Sequence, residues 1–180
     1  MHKGHEIESA ERVTLRDGIE VSIRRIRPAD WVELVAFVTR LSPQSRRMRF
    51  FTPKKRISAP FAKHLADVDF CDRAAFVVCF PGESVIRGVG RYEREGAGST
   101  SAEVAFVIED SLHGLGIATH LLVHLRLLAA ENGITTFTAI VLGENDDMIS
   151  VFRNSGLPTS FVHERDLVRV SMDIAAPGTD

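Results

Sequence analysis

AEVAFVIEDSLHGLGIATHLLVHLRLLAA, residues 102 to 130, decides the fold. Glu103-Val104-Ala105-Phe106-Val107-Ile108 is rich in β-branched and aromatic residues and reads as a strand. Glu109-Asp110-Ser111 breaks it, and the pair of glycines in His113-Gly114-Leu115-Gly116-Ile117-Ala118 follows. A long apolar helix then runs to Glu131-Asn132-Gly133, a glycine stop. A helix start carries backbone N–H groups without partners and the positive end of the macrodipole. Gly114, Gly116 and Ala118 have little or no side chain, so an anion can descend onto those N–H groups. The stretch reads as a pyrophosphate cradle, although an ordinary βα turn tightened by glycines shares the pattern.

The ligand can be narrowed. A P-loop requires Lys after its second glycine, and none is here. A dinucleotide fingerprint requires a third glycine at the first βα turn, where this chain has Thr119 in mid-sequence.

The bulk composition sets wider bounds. A chain of 180 residues, 44% hydrophobic and 26% charged, fits one ordinary globular domain. A formal net charge of -2 gives no global attraction to nucleic acid or to an anionic membrane. Cys71 and Cys79 form neither C-x-x-C nor a His cluster and are expected reduced. Arg126 and two histidines interrupt the best candidate for a membrane span, and Met1 to Glu6 lack an apolar signal core. The expected location is therefore cytoplasmic.

Taken in order, residues 1–10 read as a disordered tail and 11–175 as a single domain, with a second disordered tail over 176–180. Val13 to Ile26 is a hairpin about Asp17-Gly18. A helix begins at Pro28-Ala29-Asp30, and Ser42-Pro43 caps a second one that runs to about Phe50. Ser58 starts a short helix carrying Phe61, Leu65 and Val68. Ala74 to Phe80, Ser84 to Arg94 and the strand from Glu103 arrive in succession and are expected antiparallel. After the long helix, Phe137 to Leu142 should lie parallel to the Glu103 strand. Asn145 to Ser155 is a short helix, followed by strands over about 160–163 and 166–174. The expected order is β-α-α-(α)-β-β-β-α-β-α-β-β, an α/β fold built on a mixed sheet with helices on both faces.

Two motifs carry a family resemblance. His113-x-x matches the start of [Q/R]-x-x-G-x-[G/A], the acyl-CoA-binding pattern of the GCN5-related N-acetyltransferases, with His in place of Gln or Arg. Glu144-Asn145-Asp146-Asp147-Met148-Ile149-Ser150-Val151-Phe152-Arg153-Asn154-Ser155-Gly156-Leu157 resembles that family's second acetyl-CoA motif. The element order also resembles this family's acyl-CoA N-acyltransferase fold over nearly the whole chain. Leu41-Ser42-Pro43-Gln44-Ser45-Arg46-Arg47-Met48-Arg49-Phe50-Phe51 and the strand AEVAFVIED look like the acetyltransferase domains of bacterial protein lysine acetyltransferases.

The resemblance implies acetyl-CoA as co-substrate and direct attack of an amine in a ternary complex. Protein lysine is the first expected acceptor and a small-molecule amine or amino acid the second; a catalytically degenerate acyl-CoA sensor is the rival from another class. Glu103 matches the family's general base. His113, Gly114, Leu115, Gly116, Ile117, Ala118 and Thr119 match the phosphate cradle, with His113 expected to weaken one phosphate contact. Phe106, Val107 and Ile108 would pair the pantetheine amides like an added strand, in a slot opened by a splay for which a bulge is the usual device. Asn145 matches the family's pantetheine-contacting Asn, and also suits a plain N-cap. Phe152 stands where many members carry Tyr as general acid, and it cannot give a proton.

Three side features have simpler explanations. The basic cluster Arg46, Arg47, Arg49, Lys54, Lys55 and Arg56 fits a solvated face with an ion pair or two, or else a contact for the cofactor's 3′-phosphate or an acidic acceptor. His120 and His124 lie one turn apart but lack the H-E-x-x-H glutamate, so packing or surface positions are expected and no metal. Tyr92, the only tyrosine, lies on an earlier strand.

Overall fold

A computed structural model describes residues 10–52 and 55–176. The expected tails, apart from Ala10 and Ala176, lie outside the described residues, as do Pro53 and Lys54. Among the described residues eight strands form one sheet. They are β1 (Glu11–Thr14), β2 (Glu20–Arg25), β3 (Arg73–Cys79), β4 (Gly88–Arg94), β5 (Ser101–Ile108), β6 (Thr136–Leu142), β7 (Thr159–Glu164) and β8 (Leu167–Asp173). Five α-helices accompany them: α1 (Trp31–Arg40), α2 (Pro43–Phe50), α3 (Ala59–Ala66), α4 (Ile117–Glu131) and α5 (Asp146–Arg153). The spatial order is β1-β2-β3-β4-β5-β6-β8-β7. Every pair is antiparallel except β5 with β6, the parallel pair expected from the α4 crossover.

Alternation along the strands divides the core into two layers. Val104, Phe106 and Ile108 of β5 join Leu121 and Leu125 of α4 and Ile149 and Phe152 of α5 in one cluster. Ala75, Val77 and Val89 pack on the opposite face against Leu34 and Phe37 of α1 and Ala62 and Ala66 of α3. Gly90 lets α4 sit close to the sheet: a Cβ there would lie 3.0 Å from Leu121 Cβ and 3.0 Å from the Phe106 ring.

Local departures from the sequence reading have physical causes. The α3 helix ends at Ala66 because Asp67 turns extended, so Val68 lies beyond it. Its buried face is Ala62 and Ala66, and Phe61 is exposed. Residues 84–87 precede β4, because Glu83 N closes a turn onto Phe80 O and the chain regains the sheet only when Arg87 N donates to Val78 O at 2.7 Å. No bulge interrupts β5, whose register with β4 is continuous from Ala102 to Ile108.

Candidate active site

The splay is real, and Glu103 stands at its vertex. The β5–β6 pairing consists of Ser101↔Thr136, Ala102↔Phe137 and Glu103↔Thr138, after which the strands part, while β5 stays paired to β4 as far as Ile108. The opening therefore comes from β6 diverging, not from a bulge in β5.

Which β5 backbone groups face that opening follows from antiparallel alternation. Glu95 N donates to Ser101 O at 2.9 Å and Glu109 N donates to Arg87 O at 2.8 Å, so odd-numbered residues turn their backbone groups toward β4. Phe106 and Ile108 turn theirs into the slot. Val107, expected to pair a ligand through its backbone, is committed to β4 and contributes to the lining alone. His113 Nε2 lies 3.0 Å from Ile108 O. A carbonyl only accepts, so Nε2 carries the proton and the imidazole caps the strand edge, turned to β5.

Below the slot is the cradle. Gly116 is the N-cap of α4, and Gly114 and Gly116 have φ of 77° and 91°, the left-handed region that favours glycine. Among the described residues no backbone acceptor takes the N–H groups of residues 114 to 118 outside the helix. A Cβ on Gly114 would meet nothing within 4 Å, so the approach is open. Arg16, from the turn between β1 and β2, comes within 3.7 Å of the Cβ position at Gly116 and adds a cation. A diphosphate fits this donor set of helix N-terminus and guanidinium.

Together these parts line a cleft of about 570 Å³ that includes Phe106, Val107, Ile108, His113, Gly114, Gly116, Ile117, Ala118, Thr119 and Asn145. Asn145 caps α5 by accepting from Met148 N at 3.2 Å, so the cap role and the cleft position coexist. Three residues singled out in the sequence do not line it. Leu115 is half-buried against the core. Phe152 is 1% exposed, its ring edge-on to Phe106 with centroids 6.0 Å apart, so it supports the cleft floor from beneath. Glu103 is exposed at the vertex.

Sequence reasoning missed Arg16 and, in the wall supplied by α2, Gln44, Ser45 and Met48. The S-P cap was visible, but its link to the cleft was not. Ser42 N and Ser42 Oγ donate to the Asp110 carboxylate at 3.0 and 2.5 Å, and Ser45 Oγ donates to it at 2.8 Å. Burial works to raise the Asp110 pKa, yet the hydrogen bonds from Ser42 and Ser45, with the field of His113, bring it below the usual carboxylate value. Glu109 is bound to Arg87 at 2.9 Å and lies 3.6 Å from Arg40. Both acids beside the cradle are therefore engaged, which leaves Glu103 as the exposed carboxylate of β5.

The basic cluster divides instead of forming one face. Arg46 is buried and donates to Leu41 O, while Arg47 pairs with Glu144 across the cleft mouth. Arg49 lines the cleft and feels the charge of Glu103. His124 is bonded through Nδ1 to His120 O at 2.8 Å and through Nε2 to Glu11 at 3.0 Å, and it packs on Phe76. Tyr92 is buried away from the cleft, its hydroxyl donating to Cys71 O at 3.0 Å.

No helix among the described residues is long and apolar enough to cross a membrane. Residues 20–158 match the acetyltransferase (GNAT) domain family. The chain is 32% identical over 167 residues to Acetyltransferase PA5475 of Pseudomonas aeruginosa, covering 90% of this chain and 83% of that protein. It is 29% identical over 168 residues to Acetyltransferase Pat of Mycolicibacterium smegmatis, covering 93% of this chain and 49% of Pat, so it spans about half of that relative. The crystal structure of the GNAT domain of S. lividans PAT superposes with a TM-score of 0.84 at 35% identity, over 94% of this chain and 99% of that domain. A matching family over most of the chain, with a glycine cradle and a splayed β5–β6 slot beside it, leads to one conclusion: the chain belongs to the GNAT acetyltransferase family, in which acetyl-CoA is the implied co-substrate.

Proposed function

We propose that the chain transfers the acetyl group of acetyl-CoA to the ε-amino group of a protein lysine by direct attack, with Glu103 as general base. The position of Glu103 carries the reading: an exposed carboxylate at the point where β5 and β6 part. A lysine ammonium of ordinary pKa must lose its proton before attack, which costs about 4–5 kcal/mol at pH 7. A carboxylate at the vertex is suited to take that proton directly or through one water.

The remaining residues hold the donor. When bound, acetyl-CoA supplies a thioester carbonyl activated toward amines. The cradle over residues 114–118 and Arg16 would take its diphosphate. Phe106 N–H, Phe106 C=O and Ile108 N–H would pair the pantetheine amides as an added strand, and Asn145 would meet the same arm. Phe152 offers no proton, so solvent serves the departing thiolate. The preference for protein lysine over a small amine rests on the LSPQSRRMRFF and AEVAFVIED resemblance.

The test is label transfer from radiolabelled acetyl-CoA in a whole-cell extract, split into protein and small-molecule fractions, with Glu103→Gln beside wild type. Label on protein lysines that the variant loses is the expected result. Label confined to small molecules would replace the acceptor, and equal labelling by the variant would remove Glu103 as base.

A further inference from the structure

Two arginines on the α2 side of the sheet have no carboxylate partner among the described residues. Arg91 on β4 is only 7% exposed. Its Nη1 reaches Leu65 O at a long 3.5 Å, and its Nη2 is buried with no hydrogen-bond partner. Arg49 descends from α2 with its guanidinium 5.0 Å from the Phe50 ring centroid and no hydrogen bond or ion pair among the described residues. Burial first, then the fields of Arg49 and Arg73, bring the Arg91 pKa down to about 10 against the pull of Glu93. Burial likewise depresses Arg49 against the pull of Glu103. The neighbouring Arg73 donates through Nη1 to Asp67 O and through Nη2 to His64 O, both carbonyls.

A small pocket of about 30 Å³ touches both Arg49 and Arg91, and is otherwise walled by apolar groups such as Leu34, Phe37, Ala105 and Val107. A water suits it poorly. Both polar side chains beside it are donors only, so no side chain there accepts from a water. A carboxylate accepts from two guanidinium groups at once, and the apolar walls suit a short methylene spacer. Arg49 and Val107 also line the acyl-CoA cleft, so the two spaces meet there. Ala105 lies on β5 between the Phe106–Ile108 edge and Glu103, where a thioester carbonyl would sit.

We infer that Arg49 and Arg91 form a carboxylate subsite at the acyl end of the cleft, and that the chain takes donors whose short acyl group ends in a carboxylate, of the malonyl and succinyl class. The inference rests on the acyl-CoA reading of the cleft and deepens it. Transfer from such a donor balances as acetyl transfer does. The amine nitrogen forms a bond to the carbonyl carbon, the C–S bond breaks, coenzyme A leaves as thiolate, and the amine proton passes to Glu103.

Calorimetric titration of the full chain with coenzyme A, acetyl-CoA and succinyl-CoA at one ionic strength tests it. Wild type is expected to bind succinyl-CoA about tenfold or more tightly than acetyl-CoA. Arg49→Gln and Arg91→Gln should each bring that ratio toward one, and Arg49→Lys should keep part of it. If Arg91→Gln fails to fold, as thermal melting would reveal, Arg91→Lys and the two Arg49 variants carry the test. Equal or weaker binding of succinyl-CoA by wild type, or a ratio unchanged in the variants, overturns the subsite. So does a ratio of one combined with variants that lose acetyl transfer only to acceptors bearing a carboxylate, since the arginines would then serve the acceptor. Binding of acetyl-CoA alone removes only the subsite, whereas binding of neither acyl-CoA removes the reading of the cleft as well.

Discussion

Asp110 and Ser42, 68 residues apart in the chain, are joined at 2.5 Å between carboxylate and hydroxyl. Asp110 also accepts from Ser42 N and Ser45 Oγ, so the residues that open α2 are latched to the end of β5. Asp110→Ala frees the α2 wall of the cleft. The expected result is a loss of about 1 kcal/mol in stability, read as a fall of about 2–4 °C in melting temperature, with weaker binding of coenzyme A. Because folding lowers the Asp110 pKa, the latch is fully present above the unfolded value of about 3.9 and is lost as the pH falls through the lower folded value. Urea unfolding of wild type and variant should therefore differ at pH 7 and converge in the acid limb.

Gly116 and Arg16 would act on a bound diphosphate by different means. Gly116→Ala places a side chain at a φ of 91° and at the mouth of the cradle, so coenzyme A affinity should fall tenfold or more. Arg16→Gln removes a charge but no backbone donor. Its affinity loss should be smaller and should shrink as salt rises, because the contact is exposed and screened. Titrations at two salt concentrations separate the two.

Phe152 supports Phe106 from below the sheet. Phe152→Ala should cost about 3–5 kcal/mol by leaving a core cavity. Coenzyme A affinity should drop with it, since the backbone of Phe106 borders the slot. Chemical denaturation and ligand titration on the same sample measure both.

Tyr92 separates stability from catalysis. Its pKa is pushed up to about 12, chiefly by burial, against a hydrogen bond from Asn132. A raised folded pKa stabilises below the unfolded value of about 10 and loses that contribution as the pH rises through the folded value. Tyr92→Phe should cost about 1 kcal/mol near neutrality and leave acetyl transfer unchanged. The stability gap to wild type should close between pH 10 and about 12 in alkaline unfolding curves.

Periodicity and local capping made most of the fold legible: the S-P start of α2, the glycine stop of α4 and the alternation of β5 are each signals contained within a few neighbouring residues. The cradle was legible for the same reason, since Gly114, Gly116 and the helix start are contiguous. Arg16 and the latch role of Asp110 were not, because they depend on which distant elements the sheet brings together. The commitment of Val107 to β4 was equally hidden. A strand sequence does not say which alternate residues turn their amides toward which neighbour. That follows only from a register such as Glu103 opposite Glu93.

The parting of β5 from β6 gives this sheet a raw edge in its middle instead of at its rim. Exposed strand edges invite any extended chain to add, which is how sheets aggregate. Here the edge at Phe106 and Ile108 is flanked by α2 on one side and the start of α5 on the other. Helices that close would obstruct a polypeptide with full side chains on both faces, while a thread as slender as pantetheine can pass. The latch between Asp110 and Ser42 thus has a second consequence: by holding the start of α2 to the end of β5, it keeps a helix beside that raw edge.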